Sequence, residues 1–380
     1  MKKSFNKIVF KIIIISSLCH HFFTFGQTYK GMYIDDFNII LGNQNKEDSL
    51  FAYIQTNQFS AVSLYDLHQI DLTQTSKRDE LKSFISHLKT NLNVIDVIAV
   101  AENFWFFENK IIPYNIQVTD NEKFTVFNLE FEFWVPDAVA NYYCSTYLQP
   151  NGYTCDEAGA FDFYMSELNQ IRTLCLNNNL KTEIYLGWFN QNQANEMVLK
   201  VDRILLSNYN TNPTTAFDNT LGRLQYIGNT AHQIDVAGLF SAEPEFLQTW
   251  LLANNSDLDS AFQIYQEAYN SETGTWKNTI DLVGHHWFTY SVLPYVLPDT
   301  TIIGAGLNEI SNENNILFPN PCNSFLNLKK NHKNVQIFNF KGEEMKHVIK
   351  KENNKINVKH LESGLYFIKL DDKWLKFEKD

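Results

Sequence analysis

The chain has 380 residues, 44% of them hydrophobic, with 31 Lys plus Arg against 43 Asp plus Glu. That composition excludes a disordered chain and gives room for two or three domains, while a net charge of −12 argues against a nucleic-acid surface. The acid sits in the body: residues 311–380 hold 13 of the basic residues but only 9 of the acidic ones, which predicts a domain boundary near residue 305.

Residues 1–26 open with Lys2, Lys3, Lys7 and Lys11 and continue through the apolar Ile12–Leu18 and Phe22–Phe25 to Gly26. A basic head before a short apolar middle is the pattern of a secretory signal peptide. No later stretch approaches ~18 uninterrupted apolar residues, so no transmembrane segment is expected in the mature chain. Export permits disulfides. Cys144 and Cys155 flank the loop-like STYLQPNGYT and are predicted to pair; their spacing suits no compact metal site, and neither metal nor cofactor is expected. Cys175 lies in a helical pattern and reads as a buried thiol.

From residue 27 to 300 one unit repeats eight times, a short strand and then a helical or loop stretch. The predicted strands are 31–37, 60–66, 94–101, 124–134, 182–189, 203–209, 234–242 and 282–290, with helical patterns at 47–58, 77–89, 158–177, 218–232 and 257–269. Most strands are continuous apolar runs, as expected where both faces are covered. Strands alternating with helices at this spacing predict parallel βα units and an α/β fold, a (β/α)8 TIM barrel. An open doubly wound sheet is the alternative, although no Gly-rich phosphate turn follows any strand.

The fourth strand alternates most sharply. In FTVFNLEFEFW, Phe127, Leu129, Phe131 and Phe133 share one face, and Asn128, Glu130, Glu132 and Trp134 the other. Alternation alone fits a half-solvated strand; in a barrel the even face turns inward instead, and Glu132 reaches the carboxyl end, where barrel enzymes place their chemistry. Asp36, Glu102, Tyr209, Asn210 and Glu243 fall at other predicted strand ends, where each could equally be solvated loop polarity. His285 and His286 lack the spacing of a metal site and read as satisfied core histidines. Trp105, Trp134, Trp188 and Trp287 lie at or near four separate strand ends. They read either as packing or as an aromatic-lined cleft for a sugar, whose C–H faces suit aromatic rings.

With the strands placed, the body resembles the family 18 glycoside hydrolases, (β/α)8 barrels whose fourth strand ends in D-x-x-D-x-D-x-E. The resemblance implies that Glu132 is the acid, that Glu130 orients an acetamido group acting as nucleophile, that Tyr209-Asn210 stands where the family has Tyr-Asp, and that Trp287 matches a strand-eight floor. Thr125, Asn128 and Glu130 occupy the three aspartate positions, so only the final Glu is retained. A retaining pair, Glu132 as acid and Glu243 as nucleophile ~5 Å apart, also fits the strand ends; Glu243 fits equally as an acid in the first turn of the next helix. A barrel that binds glycans without turnover, and an unrelated hydrolysis using Glu102 or Asp36, remain open.

After a linker at 301–315 the pattern changes to short strands, predicting an antiparallel β-sandwich over 316–380. Phe318-Pro319-Asn320-Pro321, Asn339-Phe340-Lys341-Gly342, Leu361-Glu362-Ser363-Gly364-Leu365-Tyr366-Phe367-Ile368-Lys369 and Lys376-Phe377-Glu378-Lys379 run through it. This tail resembles the type A C-terminal sorting domain of the Bacteroidetes type IX secretion system. The resemblance implies the secretion machinery as a partner, and a protein released or attached to the outer-membrane surface.

Overall fold

Eight short runs close into a barrel: β1 (Tyr29–Ile34), β2 (Ala61–Leu64), β3 (Asp96–Ala101), β4 (Val126–Leu129), β5 (Lys181–Leu186), β6 (Arg203–Ser207), β7 (Ile234–Ser241) and β8 (Ile280–Phe288). Each strand pairs in parallel with the next, and β8 returns to β1 through Trp287 opposite Met32. The computed structural model describes residues 28–293 and, beyond them, segments between 317 and 379. The segments predicted to be a signal peptide and a linker fall outside the described residues. The chain divides into two compact units, one ending at Pro298 and the other starting at Asp299.

Helices cover the barrel where local chemistry starts them. Asp156 accepts from the Gly159 N–H at 2.8 Å to begin Glu157–Asn178, and Asn212 accepts from Thr214 N–H at 2.8 Å ahead of Pro213–Gly228, which opens on its proline. The outer layer of the barrel packs under these helices. From the odd face of strand four, Phe127 stacks on Phe107 at 4.6 Å, Phe131 on Tyr143 at 4.0 Å, and Phe133 meets Phe161 at 5.1 Å. Each such buried ring is worth roughly 1.5–3 kcal/mol.

The inside of the barrel is apolar above and charged below. Tyr33, Ile98, Val100, Tyr185, Leu205 and Leu239 pack together across it. Towards the amino ends, Arg203 donates to Glu183 at 2.5 Å and to Asp96 at 2.8 Å, and lies 4.0 Å from the centre of the Tyr29 ring. Asn128 donates to the same Glu183 at 2.7 Å. Both nitrogens of His286 are engaged, with the Tyr29 hydroxyl at 2.8 Å and that of Ser63 at 3.2 Å. A Cβ at Gly31 would come within 2.1 Å of that imidazole, so glycine is what leaves room for it.

Strand four departs from the sequence expectation in length. Its ladder ends at Leu129, not Trp134, because the chain then turns on itself: Phe133 N–H bonds Phe131 O and Val135 N–H bonds Glu132 O, each at 3.0 Å. The polar face still looks inward.

In the tail, one sheet has the order β12 (Lys350–Glu352), β13 (Lys355–Asn357), β10 (Phe325–Leu328), β9 (Leu317–Phe318). The other runs β11 (Val335–Asn339), β14 (Gly364–Leu370), β15 (Lys373–Lys379), and both are antiparallel. Leu326, Leu328, Ile337, Ile356, Ile368 and Phe377 form their shared core.

Candidate active site at the carboxyl mouth of the barrel

Where the strands end, a cavity of about 200 Å³ opens, lined by Tyr33, Glu130, Glu132, Tyr185, Tyr209, Leu239 and Phe288. They come from β1, the segment after β4, β5, the end of β6, β7 and β8, so only a closed barrel assembles them. The aromatic members form a connected belt: Tyr33 to Phe288 at 5.5 Å, Phe288 to Tyr209 at 6.3 Å, Tyr209 to Tyr185 at 6.5 Å, and Tyr185 to Trp134 at 5.5 Å between ring centres.

The two carboxyls differ in setting. Tyr185 donates to Glu132 at 3.1 Å, while Oε2 of Glu130 is buried without a hydrogen-bond partner, as is the Tyr33 hydroxyl. Burial, then the charge of Glu132, pushes Glu130 up to about 8; the neighbouring Tyr33 hydroxyl opposes this, although the two groups do not meet in hydrogen-bond geometry. Burial also raises Glu132, against its bond from Tyr185. At neutral pH the pair therefore retains a proton.

An arm after strand four steadies the site. Val139–Leu148 is wound as a π-helix, and Cys144 is bonded to Cys155. Tyr143 from this arm accepts the Glu132 backbone N–H at 3.2 Å, and Tyr142 and Tyr147 donate to Glu102 at 3.0 and 2.6 Å. Glu102 in turn raises both cavity carboxyls electrostatically. Closing this short loop restricts the unfolded chain, so Cys144→Ser is expected to cost about 2–3 kcal/mol. Urea unfolding of the two forms measures that loss.

The sequence candidates separate cleanly. Glu130, Glu132 and Tyr209 meet in the cavity, with Trp134 against Tyr185 at its edge. The rest do not line it. Asn128 is fully buried below, bound to Glu183. Asn210 folds onto its own turn, accepting from Thr211 and Thr215. Glu243 accepts from the Ser241 hydroxyl at 2.8 Å, and Asp36 is exposed in a left-handed turn before a short helix. Trp105 and Trp188 are exposed, Trp188 beneath the Arg223 guanidinium at 4.5 Å.

Trp287 is corrected outright. It is fully buried among the helices, stacked on Phe240 at 5.2 Å and donating to His285 at 2.8 Å. Strand parity gives the cavity to its neighbour Phe288. Tyr33, Tyr185, Leu239 and Phe288 were missed, because the inward face of each of their strands is set by register with its neighbours. Among the described residues, no group of His, Cys, Asp and Glu could hold a metal ion.

Comparison with known proteins supports the tail. Residues 316–379 match the family described as "Secretion system C-terminal sorting domain". No curated protein matches the chain. Among solved structures it is similar to the family 18 chitinase from Crocus vernus, at 12% identity over 69% of this chain and 92% of that one with a TM-score of 0.39. It is also similar to the spore cortex-lytic enzyme SleL of Bacillus megaterium QM B1551 (11%, 69% and 70%, TM-score 0.37) and to the YdjI aldolase of Escherichia coli K12 (10%, 68% and 74%, TM-score 0.36). Among the described residues no helix is long and apolar enough to cross a membrane. The chain is thus a (β/α)8 barrel carrying a type IX C-terminal sorting domain, the mark of a protein secreted or attached to the cell surface.

Proposed function

We propose that the exported barrel is a glycoside hydrolase-like protein acting on N-acetylated glycans, with Glu132 as general acid. One observation carries this reading: two adjacent carboxyls with raised pKa values share a small aromatic cavity at the carboxyl mouth of the barrel. Aromatic rings suit the C–H face of a sugar, and an acid kept protonated near neutrality suits the glycosidic oxygen. The volume, below the ~300–1,000 Å³ of ordinary ligand sites, fits one sugar ring with the remainder of the glycan outside.

In this reading Glu132 gives its proton to the leaving oxygen as the ring's own acetamido oxygen bonds the anomeric carbon and the glycosidic bond breaks; water then opens that intermediate and returns a proton to Glu132, which Tyr185 holds in place by its hydroxyl. Glu130 lies against the substituent on the seated ring. A barrel that binds glycans without cleaving them is the second reading. It is favoured by the position of Asn128 and Asn210, which contribute nothing to the cavity lining. The Glu132–Glu243 pair has less support, since Glu243 is occupied by Ser241 and is not part of the lining.

The test is turnover of a panel of aryl glycosides, including aryl N-acetyl-β-hexosaminides, by the wild type and by Glu132→Gln. Loss of about 10²–10⁴-fold in kcat/KM is expected for the mutant. A wild type that binds glycans but turns over none of the panel moves the conclusion to the second reading.

A further inference from the structure

The cavity is unusually one-sided in its charge. Among its described lining residues there are two carboxyls, three tyrosines, a phenylalanine and a leucine, and no basic group. The groups acting on Glu130 are burial, Glu132, Glu102 and the Tyr33 hydroxyl; those acting on Glu132 are burial, the Tyr185 hydroxyl and Glu102. No cation is among them. The nearest elements add only more hydroxyls, Tyr65 beyond β2 and Tyr143 on the arm, both feeling the negative charge of Glu130. Arg203, the cation inside the barrel, is already held between Glu183 and Asp96. The fold has therefore half-buried two acids, one with a buried oxygen that has no hydrogen-bond partner, and placed no basic group among the described residues that line their cavity.

Aromatic faces and carboxylates together are the chemistry that receives an ammonium group, by cation–π attraction and by charge-assisted hydrogen bonds. We propose that the cavity selects an amine-bearing sugar ring, the unit of a glycan that has lost its acetyl group, with the ammonium between Glu130 and Glu132 and the ring boxed by Tyr33, Tyr185, Tyr209 and Phe288. This rests on the second reading above, a barrel that binds glycans without cleaving them, because an ammonium in place of the acetamide leaves no substituent to act on the anomeric carbon and no proton on Glu132. Binding of the cation favours the ionised form of both carboxyls, so the proton held by the pair leaves to buffer as the ammonium enters.

Isothermal titration of the full chain with the disaccharides of glucosamine, N-acetylglucosamine and glucose, and with tetramethylammonium, tests this at pH 7 in two buffers of different ionisation enthalpy. The amine disaccharide is expected to bind roughly tenfold tighter than its acetylated counterpart. Its heat should differ between buffers in the sense of proton release, and both effects should disappear in Glu130→Gln. Short ligands are used because a polycation would bind an acidic protein non-specifically. Equal or tighter binding of the acetylated disaccharide, or amine binding without proton release in the wild type, overturns the proposal while leaving the glycan reading intact. Binding of tetramethylammonium with no sugar bound overturns both. The wild-type titrations decide the matter even if the variant does not fold.

Discussion

Replacing Arg203 with alanine is expected to destabilise the barrel by about 3–5 kcal/mol, the cost of leaving buried charges without their partner. Glu183 is fully buried and Asp96 nearly so, and Arg203 joins them from β6 across to β5 and β3. Without the guanidinium, Glu183 retains only the amide of Asn128, and Asp96 only the half-exposed Lys181 at 3.2 Å. Lys181→Ala is the internal comparison: its ammonium is largely in water, so its loss should cost less than ~1 kcal/mol. Urea unfolding of the three proteins measures both numbers, and equal midpoints for Arg203→Ala and Lys181→Ala would refute the account.

Stability should also fall as pH rises through neutrality. The folded state holds a proton on Glu130 up to about 8, whereas an unfolded glutamate loses it near ~4.3. Between those values the native state binds more protons than the unfolded one, so stability declines with rising pH, at most by ~1.4 kcal/mol per unit for one proton. The decline is fully developed above about 8. Because Glu130 meets water through the cavity, the whole loss should be about 2–4 kcal/mol, short of what complete burial would give. Glu130→Gln removes the titration: its melting temperature should match the wild type near pH 5 and exceed it at pH 8.5. A wild-type curve that stays flat across that interval would remove the basis for a shared proton.

Much of the architecture was legible because it rests on patterns that survive averaging. Eight apolar runs separated by amphipathic stretches leave few options other than a parallel sheet, and the alternation of Phe127 to Trp134 placed Glu130 and Glu132 on the inner face. The cavity's remaining walls were hidden for the same physical reason that made the strands visible. A barrel strand is apolar on both faces, so nothing in the run IDLVGHHWF marks whether Trp287 or Phe288 looks inward. Register with β1 and β7 decides it, and register is a property of the closed sheet. Tyr33 and Tyr185 were similarly absorbed into their strands. The arm was harder still, since its contacts depend on a π-helical winding in which Tyr142, Tyr143 and Tyr147 reach back to Glu102 and Glu132.

The bond between Cys144 and Cys155 also sets a timetable. A reducing cytoplasm does not sustain such a bridge, whereas the compartments outside it do. The arm that carries Tyr143 to the backbone of Glu132 therefore gains its covalent tie only in an oxidising compartment, whereas the strands and charged interior of the barrel involve neither cysteine. Chemical reduction should accordingly loosen the rim of the pocket and leave the scaffold closed.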